Sequence, residues 1–339
     1  MRRIVPVLVF AALALSWSAP AAPETFGLFV SGLGGDESFE ESFFETSRLL
    51  VEAAVSAGVR EEAMIWLTED PSKDSRIEGR STGEQVVDSL QTLSRRMKQG
   101  DLLWVVLIGH GSYRDERSKI NLPGPDLTDQ QWTTALASIP PDRQLVFVNT
   151  ASASGGFLET LSGEGRVVVT ATKSAGQRNS TVFPTFFAAA FAERAADSDQ
   201  DGFVSVLEAF DFANQEVKRH YEDQNLLQTE HALLDDNGDR EGTREPNALG
   251  GDDGLGDGML AGRLVLGASA LSRIERTPEN EALIARRAEL QRELDDLRRS
   301  KANLPESEYF DALQGLLVEI ARLDRSLRGG DPNTAGDSR

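Results

Sequence analysis

Two stretches stand out in the alternation of apolar and polar positions. Asp101 to Tyr113 reads DLLWVVLIGHGSY, and Gln144 to Gly156 reads QLVFVNTASASGG. Each is a short run rich in Val and Leu that breaks off into small and polar residues. Runs that are apolar on both faces and too short for a globular helix suit central strands of a parallel sheet, covered on both sides. In such sheets ligands bind where the carboxyl ends of the strands open. The first run therefore delivers His110 and Gly111 to that edge. The second delivers Ser152, with Ser154, Gly155 and Gly156 behind it.

The remaining pattern fills in around this pair. Thr25 to Ser31 predicts a first strand, with Gly32, Gly34 and Gly35 looping at the same rim. Phe43 to Ala57 has a helical apolar face, Ala63 to Leu67 reads as a strand, and Thr82 opens an amphipathic helix running to Met97. Asp115 to Pro140 reads as a loop with one short helix around Asp129 to Ala137. After Ser152 come Phe157 to Leu161 and a strand at Arg166 to Thr172. Strand and helix in repeated alternation predict an α/β fold with a mostly parallel sheet and helices on both faces.

Beyond the sheet, Phe183 to Arg194 is apolar nearly all round and predicts a buried helix, followed by a second helix at Val206 to Tyr221. Asp235 to Asp257 has no apolar period and reads as loop or partly disordered chain, and Gly258 to Gly267 as a final strand. Leu283, Leu290, Leu294 and Leu297, then Tyr309, Leu313, Leu316, Ile320, Leu323 and Leu327, recur at heptad-like steps. They predict a helical hairpin over 273–328, which either folds back on the sheet domain, grips a partner helix or self-associates. The expected domains are a signal peptide at 1–22, a sheet domain at 23–270, the hairpin, and a disordered tail at 329–339.

Composition narrows the chemistry. The chain has 339 residues, a formal net charge of -20 and no cysteine, which removes disulfides, thiolate metal sites and any catalytic thiol. Arg2 and Arg3, the apolar run Ile4 to Trp17 and then Ala19, Ala21 and Ala22 match a secretory signal, so export to a periplasm or out of the cell is expected. Between Glu193 and Asp257 there are 18 acidic residues against 5 basic ones. Such a segment favours cations and repels nucleic acid.

Within it, Asp197, Asp199, Asp201, Gly202, Phe203, Ser205 and Glu208 occupy positions one, three, five, six, seven, nine and twelve of an EF-hand loop. Hard oxygen ligands at that spacing wrap a Ca2+ ion, Gly permits the sharp turn, Phe203 offers its carbonyl and Glu208 binds through both oxygens. A second candidate, Asp235, Asn237 and Asp239, has the first three ligands only. Arg240 stands where Gly belongs and Pro246 where the last Glu belongs.

The two strand ends carry a resemblance. A strand ending in His110-Gly111, then one ending in Ala151-Ser152-Ala153-Ser154-Gly155, is similar to the legumain-like group of caspase-fold cysteine peptidases, where the second strand ends Ala-Cys-x-Ser-Gly. The likeness runs from about Thr25 to Gly267 and includes Asp235-Asp236-Asn237-Gly238-Asp239 and Gly258-Met259-Leu260-Ala261. It implies a caspase-like sheet with flanking helices, an inserted EF-hand and a C-terminal hairpin. It also implies His110 as general base or acid, Ser152 at the nucleophile position, and Gly111 and Ser152 as oxyanion-hole donors. Serine here replaces the family's cysteine. A hydroxyl must lose its proton to a base during attack, so a working serine needs His contact and an oriented His. Ser38 is the nearest match to the residue that orients the His, and Phe39-Glu40-Glu41 stands where the legumains carry the basic residues behind their Asn preference.

Three readings stay open: a calcium-binding pseudopeptidase that binds a peptide or protein partner, an acyl hydrolase using Ser152 and His110, and a purely structural role for both residues. A nucleophile elbow centred on Ser154, with His220 or His231 as its base, is a further hydrolase scheme.

Overall fold

The computed structural model describes residues 23–192, 196–200, 202–250, 256–267, 277–301 and 304–327. The expected signal peptide, Asp201 and the C-terminal tail lie outside the described residues.

The strands, in chain order, are β1 (Thr25–Ser31), β2 (Met64–Thr68), β3 (Gly79–Arg80), β4 (Leu102–Ile108), β5 (Gly111–Arg114), β6 (Arg117–Ile120), β7 (Leu127–Thr128), β8 (Gln144–Asn149), β9 (Arg166–Thr170) and β10 (Leu233–Asp235). Seven of them form the main sheet in the order β10-β9-β8-β4-β1-β2-β3, parallel except for β10. The apolar runs that marked β1, β4 and β8 are buried along almost their whole length. That is the burial expected of strands covered on both faces.

The helices of the body are α1 (Glu37–Ser56), α2 (Gly83–Arg96), α3 (Asp129–Leu136), α4 (Leu158–Leu161), α5 (Phe183–Ala192) and α6 (Val206–Asp223). On one face of β1 the Ser31 hydroxyl bonds Ser47 of α1 at 2.9 Å. On the other, Phe26 lies beneath the guanidinium of Arg96 at the end of α2. Helix α5 packs between α1 and α6, and α3 between α2 and α4. Fully buried Trp66, Trp104, Phe29 and Phe147 fill the interior.

Four expectations need correction. First, α1 begins at Glu37 and not at Phe43, because the Asp36 carboxylate caps it by accepting from the Phe39 N–H at 3.0 Å. Second, Asp115 to Pro140 is no loop: β5, β6 and β7 form a small antiparallel sheet. Its hairpin turns at Asp115 and Glu116, both left-handed, the geometry that matches strand twist in two-residue hairpins. Ser118 and Ile120 point inward while Arg117 and Lys119 do not, an alternation too short to read from sequence. Third, Gly258 to Gly267 forms turns, with a single bridge from Val265 to Ser205 and no strand. The Asp236 carboxylate gathers the N–H groups of Gly258, Leu260 and Ala261 and so curls that backbone. Fourth, the acidic stretch from Asp235 is anchored, with Asp235, Asp236 and Asp257 all buried.

Helices α7 (Pro278–Arg299) and α8 (Glu306–Leu327) follow the body. They pack on each other through Leu290, Leu294 and Ile320, and Arg287 pairs with Asp324 across them. Among the described residues no helix is long and apolar enough to cross a membrane.

Candidate functional site

The chain leaves β1 for β2 on one side, while β4 and then β8 add on the other. The crevice at this switch point, outside the strands' carboxyl ends, is where such sheets take ligands. Gly32, just past β1, donates to the Ile108 carbonyl at the end of β4. His110 and Gly111 follow β4 and Ser152 follows β8, so the sheet brings together the three residues that the sequence assigned to one rim.

His110 is half-buried between two rings of α1. Phe39 and Phe43 meet its imidazole edge-on, with centroids 4.4 and 5.0 Å away. Burial lowers its pKa, against the opposing pull of the Asp36 carboxylate and the Gly34 backbone. The imidazole is thereby biased toward its neutral form, the form a general base needs.

Ser152 is 4 % exposed, and both capacities of its hydroxyl are taken by one residue. Its Oγ accepts from the Gly111 N–H at 3.1 Å and donates to the Gly111 carbonyl at 3.0 Å. Among the described residues no hydrogen bond joins His110 to Ser152. The N–H that the resemblance assigned to an oxyanion hole is therefore engaged by the would-be nucleophile itself. Side chain and backbone are close enough here that Gly111 must be glycine: a Cβ on it would lie 2.0 Å from the Ser152 carbonyl oxygen. Ser38 sits exposed in the first turn of α1 and makes no hydrogen bond to His110, so it does not orient the ring.

The turn after Ser152 is held rigidly. Ala153 is left-handed, with φ 54, its N–H donating to the Gln177 carbonyl and its own carbonyl accepting from Ser118. Ser154 is fully buried, sharing hydrogen bonds with the Thr172 hydroxyl and N–H. A nucleophile elbow presents its serine outward. Ser154 does not, and its proposed partners are elsewhere: His220 on α6 packs against Phe186 of α5, and His231 bonds Gln177. Gln177 and Thr172, which fix this turn, gave no signal in the sequence.

A groove of about 480 Å³ opens beside Gly111. Leu33, Tyr113, Arg114, Lys119, Asp126 and Arg178 line it, and Arg178 lies over the Tyr113 ring at 5.9 Å. Its charged lining, three cations against Asp126, contrasts with the net charge of the chain.

The candidate calcium loop links α5 to α6. Carboxylate oxygens of Asp197, Asp199 and Glu208 all lie within 4.8 Å of one another. Gly202 has φ +89, as the sharp turn requires, and its N–H donates to Asp197 at 3.0 Å. Glu208 accepts from the N–H groups of Ser198 and Ser205, and Ser205 caps α6 in return. Phe203 follows Gly202 in the turn. All donors are hard oxygens, so the described residues fit Ca2+. In the second candidate, Asn237 and Asp239 bond each other while Asp235 is buried, so its three ligand positions do not form a loop site of their own.

No known family's sequence profile matches the chain, and no curated protein matches it. Among solved structures, it is similar to a protein from Geobacter sulfurreducens at 10% identity, covering 63% of this chain and 93% of that one, with a TM-score of 0.42. It is also similar to the Drosophila initiator caspase Dronc at 11% identity, covering 63% and 79%, with a TM-score of 0.39. What is established for this chain is a mixed α/β fold on a mostly parallel seven-stranded sheet. Likenesses this distant carry nothing about activity.

Proposed function

We propose that the chain is an exported, calcium-binding protein of the legumain-like, caspase-fold type whose cleft holds a peptide or protein segment without cutting it. The observation that carries this reading is the pairing of the Ser152 hydroxyl with both backbone groups of Gly111. A serine nucleophile passes its proton to a base during attack. Here the proton is directed to a carbonyl that cannot take it. The adjoining groove is lined by Arg114, Lys119 and Arg178, an excess of positive charge suited to a segment bearing carboxylates.

Calcium bound by Asp197, Asp199, Asp201, Ser205, Glu208 and the Phe203 carbonyl neutralises carboxylates that otherwise repel one another, and so ties α5 to α6. Added Ca2+ is expected to raise the melting temperature, and Asp199→Ala to abolish the rise. An unchanged melting temperature in the wild type would remove the calcium part of the reading. The hairpin of α7 and α8 is the surface we assign to self-association.

The deciding experiment incubates the mature protein with a mixed peptide library, in calcium and in chelator, beside Ser152→Ala. No cleavage is expected, together with retention of acidic peptides that is lost in an Arg114→Glu, Arg178→Glu double variant. Cleavage that disappears in Ser152→Ala would overturn the proposal and establish a serine hydrolase.

A further inference from the structure

Away from His110, at the strand β10 that ends the sheet, three carboxylates are buried inside the protein. Strand β10 runs antiparallel to β9, with Leu233 opposite Thr170 and Asp235 opposite Val168, so the chain beyond Asp235 heads toward the amino end of β9. Asp235, Asp236 and Asp257 are 0%, 8% and 6% exposed. Six backbone N–H groups serve them. Gly238 donates to Asp235 Oδ1 at 3.1 Å. Gly258 donates to Asp236 Oδ1, and Leu260 and Ala261 to its Oδ2, at 2.7 to 2.8 Å. Asp236 and Asn237 donate to Asp257 Oδ1 at 3.0 and 3.3 Å.

That inventory accounts for both oxygens of Asp236 but for only one each of Asp235 and Asp257. Asp235 Oδ2 is buried with no hydrogen-bond partner. Among the described residues no Lys or Arg forms an ion pair with any of the three. The Asp257 carboxylate accepts from the peptide N–H that joins Asp235 to Asp236, which places its charge beside theirs. Buried carboxylates without a counter-charge are among the costliest arrangements a fold can contain. Either a cation or a shared proton must resolve this one.

We propose that Asp235 and Asp257 hold a second hard divalent cation, calcium or magnesium, independent of the Asp197 loop. The donors fit: the orphan Oδ2 of Asp235 and the oxygen of Asp257 left unused by N–H donors are hard, anionic and held by backbone. Asp236 is the supporting residue, fixing the Gly258–Ala261 turn against β10. That turn reaches the start of α6, since the Ala261 carbonyl accepts from Leu207 and the Leu264 carbonyl from Val206. A cation here therefore braces the backbone on which Ser205 and Glu208 stand.

The test counts cations on the full chain by native mass spectrometry and equilibrium dialysis, with Ca2+ alone and with Mg2+ alone. Wild type is expected to hold two Ca2+, Asp199→Ala one, and Asp199→Ala combined with Asp235→Asn none. Asp257→Asn in place of Asp235→Asn gives the same loss and serves if either variant fails to fold. One cation on both wild type and Asp199→Ala, lost in Asp235→Asn, would remove the Asp197 loop as a site and leave this one standing. An Asp199→Ala chain that binds neither metal would overturn the proposal, as would a cation that survives both Asp235→Asn and Asp257→Asn. If wild type holds at most the one cation that Asp199→Ala removes, and Asp235→Asn raises the metal-free melting temperature, the carboxylates share a proton and the proposal fails.

Discussion

A methyl group on Gly111 would lie 2.0 Å from the backbone oxygen of Ser152 and 3.1 Å from that of Lys119. Backbone on both sides cannot rotate out of the way as a side chain can, so the Ser152 turn or β6 must shift. Gly111→Ala is expected to destabilise the fold by at least about 2 kcal/mol, read as a lower urea midpoint at unchanged slope. Ser152→Ala should cost less, about 1 kcal/mol, for a donor and an acceptor left without their hydroxyl. His110 gives a spectroscopic prediction. Its burial between Phe39 and Phe43 depresses its pKa, so NMR should place its titration midpoint below the ordinary value of 6.5. The neutral ring then contributes stability that is lost as pH falls through the depressed value. A midpoint above 6.5 would mean that Asp36 and not burial controls the ring.

At the scale of elements, α5 shows how a buried charge sets a helix start. The N–H groups of Val182 and Phe183 donate to Glu230 at 2.8 and 3.1 Å, and the Tyr221 hydroxyl does so at 3.1 Å. The helix dipole favours the carboxylate there, but burial outweighs these donors and raises its pKa. A raised folded-state pKa means the folded chain holds the proton more tightly. Its contribution is therefore full below the ordinary value near 4.5 and is lost as pH rises through the higher folded value. The melting temperature of wild type should fall more between pH 5 and pH 8 than that of Glu230→Gln. Parallel curves would show that Glu230 does not couple folding to protons. Local signals and tertiary ones divide cleanly at this scale. The caps at Thr82 and Thr128 lie beside the runs they start. The cap of α5 comes from a residue nearly fifty positions away, and no local pattern announces it.

For the whole molecule, the two ends of the sheet have different tasks. The carboxyl edge carries His110, Ser152 and the cationic groove, while the amino edge carries buried acid that locks β10 to the turn before the hairpin. The hairpin itself buries Leu290, Leu294 and Ile320 between its helices, yet leaves Phe310, Leu317 and Val318 on α8 exposed. Phe310 and Leu317 are seven positions apart and share one face. Sedimentation equilibrium should find wild type associated and a Phe310→Glu, Leu317→Glu variant monomeric, with the melting temperature of the sheet domain unchanged. A monomeric wild type would return the hairpin to a self-contained role.

The sequence by itself determined β1, β4 and β8, because strands buried on both faces need unbroken apolar runs and few other elements tolerate them. It also determined the order of oxygen-bearing residues from Asp197 to Glu208, since they stand within twelve consecutive positions. Tertiary structure decided the rest. That Phe39 and Phe43 clamp His110, that Ser152 spends its hydroxyl on Gly111, and that Asp257 accepts from the Asp236 N–H are contacts between distant segments. Periodicity reports which side of an element is buried, not what it is buried against. The choice between a cutting serine and a sealed one rests on that second kind of information.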